Sequence, residues 1–441
     1  MKTFNLTISV MRRLLMISLA LCCVFSSGLA QSVRDQSNTD TLGARKLLSE
    51  LSTEFSKLRP RSIRPAEGYL KYDYLIPAGF YKQMWDWDGF FIGCHLASRN
   101  RDDAKYLKWW ALNFVTHIDS SGYAPGCMTT KGPRPIFGKF ALKPFLSQGA
   151  YFAAVALNDF SWVDSVYDGL KKVLAYRDET QFDAKYGLYF WDLAIQSGAD
   201  NNPVLTNDEH DRSAIIGVDI CTFQLREFLA MGRIADTLGK RQDAMYYRKR
   251  AEDLKSAMMR YLWFSEDTSF FNIRRDNGKP IKRVSYSNFI PLFQRVLPTD
   301  LGRAMILKYL LNKNQMLAPF GIRSLSKQDP DYNNVCEIIP YSNWQGPIWI
   351  NANFMFSVAL KRYGFDAEAN HLAVVIAQML LNDIRSCGSM HECYDAETGG
   401  PLAPTAAQSE GGIFTGFVGW NLLAQNMLEG AVENKWLLLE L

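Results

Sequence analysis

Two acidic residues stand where the local sequence gives them little structural work. Asp200 lies in Trp191-Asp192-Leu193-Ala194-Ile195-Gln196-Ser197-Gly198-Ala199-Asp200-Asn201-Asn202-Pro203, where Gly198 and Pro203 make the backbone a turn. A lone Asp in such a turn closes its own loop; behind a Trp and beside a second carboxylate it can also bind a sugar or act as a general acid. Glu392 lies in Met390-His391-Glu392-Cys393-Tyr394-Asp395-Ala396-Glu397-Thr398-Gly399-Gly400. Residues 395–400 read as an exposed turn, which makes Asp395 and Glu397 structural or solvated. Glu392 precedes that turn in a segment expected to be partly buried. Cleaving a glycosidic bond needs one protonated acid for the leaving oxygen and one carboxylate to activate water or attack carbon. Asp200 and Glu392 are the loop pair that offers this.

Aromatic residues gather in the same kind of segment. Met84-Trp85-Asp86-Trp87-Asp88 packs two Trp and two Asp into one short stretch, which is not the pattern of a simple core helix or strand. Trp85 and Trp87 can wall a sugar while Asp88 accepts hydrogen bonds from neighbouring hydroxyls, a role it could combine with capping the next helix. Gln148 falls in the first turn of its helix, as ligand or as plain helix residue. Trp344 and Gln345 precede Gly346-Pro347, where Pro fixes a helix entry, and are expected to point into a mouth; Trp349, one turn further, is either core or site.

These residues need a scaffold. After residue 41 the chain reads as successive helices, beginning with Leu47, Leu48, Leu51, Phe55 and Leu58 at helical spacing. The spacing predicts helices near 42–58, 88–98, 101–118, 143–158, 160–178, 214–238, 241–262, 286–294, 298–313, 347–363, 366–385 and 412–428. Connections alternate between one to three residues and long loops at 59–87, 119–142, 179–213, 263–285, 314–346 and 386–411. Antiparallel hairpins closed into a ring would put every long loop at one end. The fold expected is therefore all-α, an (α/α)6 barrel (six-hairpin toroid) with active-site loops on one face. An open solenoid would need a sequence repeat, and none is visible.

The N-terminus reads as an export signal. Arg12 and Arg13 precede the apolar run Leu14–Phe25, and Ser26-Ser27-Gly28-Leu29-Ala30 supplies small residues for cleavage before Gln31. The run is too short to span a bilayer, which needs roughly 20 residues, so an exported protein, periplasmic or secreted and without a stable membrane anchor, is expected. The domain reading is 1–30 signal peptide, 31–68 leader and first helix, and 69–441 catalytic domain. Removing Lys2, Arg12 and Arg13 from the 49 basic residues leaves them nearly balanced by 45 acidic ones, which argues against nucleic acid as a partner. Six cysteines remain after Cys22 and Cys23 leave, none in a CxxC or Cys/His spacing, so a zinc site is not expected, and the chain is read as metal-independent and without a cofactor.

Four ordered motifs, Met84-Trp85-Asp86-Trp87-Asp88, Ser197-Gly198-Ala199-Asp200-Asn201-Asn202-Pro203, Trp344-Gln345-Gly346-Pro347-Ile348-Trp349 and Glu392-Cys393-Tyr394-Asp395-Ala396-Glu397-Thr398-Gly399, resemble those of glycoside hydrolase family 63. The likeness is to its compact bacterial members of the mannosylglycerate hydrolase or α-glucosidase type, with family 37 trehalases as cousins, and spans about residues 70 to 425. It implies an (α/α)6 barrel and exo-acting hydrolysis of a small α-glucoside or α-mannoside with inversion. It also implies Asp200 as general acid and Glu392 as general base, their carboxyl groups roughly 6.5–9.5 Å apart to admit a water. By the same resemblance Trp85, Trp87, Asp88, Gln148, Trp191, Gly198, Trp344, Gln345 and Trp349 shape the glycone subsite. The chain departs from the family at Asn202, where Ser is common, at Gln345, where Arg is common, and along Ile413–Trp420, which matches loosely.

Two other readings compete. A non-catalytic sugar-binding protein would keep the aromatic loops without needing both Asp200 and Glu392. Another (α/α)6 carbohydrate enzyme, such as a trehalase or a polysaccharide lyase, is the second; a lyase should show a Tyr/His or Arg constellation for a uronate, whereas the chain has five His and places Arg mostly outside these motifs.

Overall fold

A computed structural model describes residues 42–77, 79–134, 140–336 and 342–441; the expected signal peptide and leader, residues 1–41, lie outside the described residues. Helices dominate: α1 (42–58), α2 (Asp86–Arg99), α3 (Ala104–Val115), α4 (Leu146–Leu157), α5 (Ser161–Gln181), the short α6 (Ala194–Ser197), α7 (Val218–Thr237), α8 (Arg241–Tyr261), α9 (Ile290–Phe293), α10 (Thr299–Met305), α11 (Ile350–Arg362), α12 (Asp366–Cys387) and α13 (Leu423–Glu433).

Burial sorts these helices into two kinds. Sixteen of the 20 residues of α7 are buried, and 11 of the 13 of α11. Such helices are enclosed on all sides. In α8 only Ala244, Tyr247, Ala251, Leu254 and Met258 are buried, at alternating spacings of three and four, which is one stripe of a surface helix. The enclosed helices touch in a closed order: α2 packs on α4, α4 on α7, α7 on α9, α9 on α11, α11 on α13 and α13 on α2. Outside them α3 lies against α2 and α4, α8 against α7, and α12 against α11 and α13. Helix α1 joins the outer set through Glu50, which accepts from Arg385 Nε at 2.8 Å, and through Ser52, which accepts from Gln425 Nε2 at 3.1 Å. Its Leu51 and Phe55 share one hydrophobic core with the rest.

Three expected helices differ. The 286–294 segment is a 3-10 turn, Tyr286–Phe289, followed by α9, and its entry is a capping box between Ser285 and Asn288. The 298–313 segment is α10 followed by a π turn at Ile306–Leu310. The last helix starts at Leu423, about ten residues later than 412–428: Ile413–Phe414 pairs with Ser409–Glu410 as a hairpin, and the chain then turns at Gly416 with φ +66°. Helix cannot pass through that position.

The long connections also hold short strands where the sequence pattern predicts only loop. Met84–Trp85 pairs with Cys127–Thr129, which pairs with Gly132–Pro133. Leu188–Trp191 lies between Phe182–Asp183 and Ile215–Ile216 in a four-stranded sheet. Two-residue strands leave too little alternation to read. Among the described residues no helix is long and apolar enough to cross a membrane.

Candidate active site

The N-terminal ends of α2 and α11, the 3-10 turn Gly419–Leu422 before α13, and the loops preceding α4 and α7 converge on one cavity of about 320 Å³. Asp200 and Glu392 both line it, together with Trp85, Trp87, Asp88, Gly198 and Trp349. A volume near the lower end of small-ligand sites suits one or two sugar rings.

The Asp200 loop is tightly built. Trp191 ends its strand in register with Ile215; the chain then turns through α6 and leaves it at Gly198 with φ +84°. A Cβ on Gly198 would stand 2.6 Å from Trp87 Cζ2 and 3.0 Å from Lys143 Cε, so the close approach requires glycine. Asn207 Nδ2 donates to the Asp200 carbonyl at 2.5 Å. Asn201 reaches across to the Trp344 segment: its Nδ2 donates to Asn343 Oδ1 at 3.0 Å, and its Oδ1 accepts the Trp344 N–H at 2.6 Å.

Glu392 is anchored through its neighbours. Asp383 on α12 accepts the His391 N–H at 2.8 Å, the His391 ring Nδ1 at 2.9 Å and the Tyr394 hydroxyl at 2.7 Å. Asp383, Cys387 and His391 offer ligand atoms within 4.8 Å of one another, and these hydrogen bonds already engage Asp383. The Glu392 carboxylate itself accepts from Gln408 Nε2 at 3.3 Å and from the Tyr81 hydroxyl.

Burial is the main electrostatic force here. It pushes Asp200 from its ordinary 3.8 up to about 6, against the opposing Ser342 hydroxyl and Lys143 ammonium. It pushes Asp88 up to about 8, opposed by Lys143 and reinforced by Asp86. Glu392 is held well above 4.5 by burial and then by the charges of Asp88 and Asp200; Gln408 and Tyr81 act the other way. Tyr81 is itself raised well above 10 by burial and these carboxylates, so it stays a hydroxyl donor. Asp88, Asp200 and Glu392, three of the four carboxylates lining the cavity, interact closely enough to titrate as a set.

The wall is indole. Trp87 meets Trp420 edge-on with ring centroids 5.4 Å apart, and Trp349 meets Trp420 at 6.1 Å. Trp85 Nε1, Trp420 Nε1 and Gln83 Oε1 belong to lining residues and are buried with no hydrogen-bond partner in the protein. Buried polar groups of this kind call for a partner, and a ligand in the cavity could supply one.

The structure places four of the expected residues behind the wall, outside the cavity lining. Gln148 is spent on α4–α7 packing: its Nε2 donates to the Pro144 carbonyl at 2.7 Å and its Oε1 accepts from Arg226 Nε at 2.7 Å. Trp191 Nε1 donates to Asp219 Oδ1 at 2.9 Å. Trp344 stacks on Trp349 with centroids 4.4 Å apart and planes 5° from parallel, backing the wall. Gln345 is a strut, donating to the Asn201 carbonyl at 3.1 Å and accepting from Asn333 Nδ2 at 3.0 Å. In turn Tyr81, Gln83, Lys143, Ser342 and Trp420 line the cavity unforeseen. Lys143 had a signal: it is the one charge in the apolar run Phe140-Ala141-Leu142-Lys143-Pro144-Phe145.

Residues 81–411 match the family model of the mannosylglycerate hydrolase MGH1-like glycoside hydrolase domain. The chain belongs to that family. It is thus a glycoside hydrolase domain, as the four motifs implied. It is similar to a probable mannosyl-oligosaccharide glucosidase of Schizosaccharomyces pombe, 25% identical over 53% of this chain and 28% of the relative. It is also similar to the mannosylglycerate hydrolase of Rubrobacter radiotolerans, 24% identical over 38% of this chain and 36% of the relative. The matches therefore span about a third of the length of these curated relatives. Among solved structures it shares the fold of the family 63 mannosylglycerate hydrolase of Thermus thermophilus in complex with Tris, with a TM-score of 0.66, 17% identity, and 85% of this chain and 99% of that one covered. The neutral trehalase of Saccharomyces cerevisiae follows at a TM-score of 0.60 and 12% identity over 82% of this chain and 76% of that one.

Proposed function

We propose that this domain is an (α/α)6 toroid that hydrolyses a small α-glucoside or α-mannoside from its non-reducing end with inversion. The observation that carries the reading is the meeting of Asp200 and Glu392, from loops far apart in sequence, in one indole-walled cavity. The closed order of enclosed helices, with their partners outside, supports the toroid. The relatives' names point to mannosyl and glucosyl glycosides, which sets the glycone choice.

In this mechanism Asp200 gives its proton to the glycosidic oxygen as the bond to the anomeric carbon breaks. Glu392 takes a proton from a water that attacks that carbon from the opposite face. Each carboxylate has two groups that favour its ionised form, Gln408 and Tyr81 at Glu392 and Ser342 and Lys143 at Asp200, so the division of roles rests on the motif resemblance. The indole faces of Trp87, Trp349 and Trp420 hold the apolar faces of the ring, and Asp88 with the unpartnered indole N–H groups binds its hydroxyls. The signal-like N-terminus supports reading it as an exported enzyme, periplasmic or secreted.

The test is incubation of the mature protein with α-glucosides and α-mannosides, including mannosylglycerate, kojibiose and trehalose, with the released anomer followed by proton NMR. Initial release of the β-anomer is expected. Release of the α-anomer would sink the inverting mechanism, and no turnover of any of them would sink the hydrolase.

A further inference from the structure

Lys143 is the ammonium buried beside the cavity's carboxylates, and its placement is built rather than incidental. It is 7% exposed. Its Nζ lies 3.0 Å from Asp86 Oδ1, its backbone N–H donates to Asp86 Oδ2 at 2.7 Å, and Asp86 Oδ1 also accepts the Trp87 N–H at 2.7 Å. The ammonium rests over the Trp87 ring at 5.3 Å, and its stem fills the space left where Gly198 has no side chain. It is thereby fixed between the first turn of α2 and the Asp200 loop.

The charged and titratable groups around it come from every wall. Helix α2 contributes Asp86 and Asp88, the loop before α7 contributes Asp200, and the strand beside Trp85 contributes Cys127. Arg134 stands exposed at the mouth, and Tyr81 and Glu392 lie across the cavity. Lys143 opposes the burial penalty at Asp88 and at Asp200.

We propose that Lys143, braced by Asp86 and packed against the Gly198 turn of the Asp200 loop, is a positioning residue that tunes Asp200 as an acid. A general acid works best when its proton affinity is close to the working pH. Without that cation the buried Asp200 would hold its proton more firmly. The proposal rests on the reading of Asp200 as the acid, and its test needs no substrate, so the two can fail separately.

The experiment follows the carboxyl stretch of Asp200 by infrared titration of the full mature protein, isolated by subtracting the same titration of D200N. In K143M the Asp200 midpoint is expected to move up by about one unit, the low end of what a close opposite charge exerts. In K143R it stays near wild type. In D86N, an isosteric change that removes the counter-charge and leaves the ammonium uncompensated, it moves down. Opposite signs at the two partners are not what a merely structural pair would give. A midpoint unmoved in K143M and D86N, or moved the same way in both, overturns the proposal. If K143M does not fold, D86N decides alone, a downward shift supporting the proposal and an unchanged or higher midpoint overturning it. Failure of the wild type to hydrolyse any glycoside would remove the hydrolase reading and leave this charge coupling standing or falling on the titration.

Discussion

Asn201 Oδ1 accepts the backbone N–H of Trp344 at 2.6 Å, which bolts the residue after Asp200 to the segment that backs the indole wall. The Asn201 carbonyl is held as well, by Gln345 Nε2 at 3.1 Å. Neither residue touches the reacting atoms; together they fix where the acid stands. Misplacing a catalytic group by a fraction of its working distance costs rate steeply. N201A is therefore expected to fold, to lose roughly 10- to 100-fold in kcat and to change KM little. Steady-state kinetics beside a circular-dichroism melt would check it; an unchanged kcat would show that the loop holds its place without this bolt.

The division of labour between the two carboxylates can be separated by leaving group. A glycosyl fluoride departs without a proton, so it has no use for a general acid, while the attacking water still needs its base. D200N should lose about 10²- to 10⁴-fold on an alkyl or glycerate glycoside but turn over the α-glycosyl fluoride near the wild-type rate. E392Q should fail on both. Wild-type kcat/KM on the alkyl glycoside should fall above about pH 6, where Asp200 gives up its proton, and that limb should vanish with the fluoride. A fluoride-active E392Q with an inactive D200N would exchange the two roles.

Much of the scaffold was legible because helix hairpins advertise themselves. Gly239 separates α7 from α8, and the buried positions of α8 recur at the spacing a surface helix demands. Asp200 and Glu392 were legible as acids in loops, and the cavity has both on its lining. What could not be read was direction. Trp344 reads as pointing into the mouth and Trp349 as core or site, yet Trp349 is the lining and Trp344 the layer beneath it, a distinction made only by stacking in three dimensions. Gln148 reads as a polar residue near a loop, but it faces Arg226 on α7 because α4 packs there. Lys143 stood out as a lone charge in an apolar run, but the sequence did not say what it serves, because its partner Asp86 belongs to a different element 57 positions away.

Gly198 is under two constraints at once. Its φ of +84° strains any side-chain-bearing residue, and a Cβ would press on Trp87 Cζ2 and Lys143 Cε. G198A should cost about 1–3 kcal/mol of stability and should also displace Trp87, raising KM for the glycone. Chemical denaturation together with a KM measurement distinguishes the contributions. A destabilised protein with an unchanged KM would mean that the indole does not hold the sugar.

Burial of Asp200 also leaves a signature in stability. Its folded proton affinity, about 6, lies above its ordinary value of 3.8, so folding favours the protonated form. The contribution is fully present below pH 3.8 and is lost as pH rises through about 6, where the cavity must accommodate a charge it solvates poorly. The wild type therefore carries a penalty at neutral pH, about 2 kcal/mol once partial exposure to the cavity is allowed for. D200N keeps the shape and drops the charge. It should melt a few degrees above wild type at about pH 7.5 and coincide with it near pH 3.5, a pattern of stability traded against activity. Melts of both proteins across that range would test it, and a D200N that is less stable at neutral pH would mean that the ionised carboxylate is held by more favourable partners than Ser342 and Lys143.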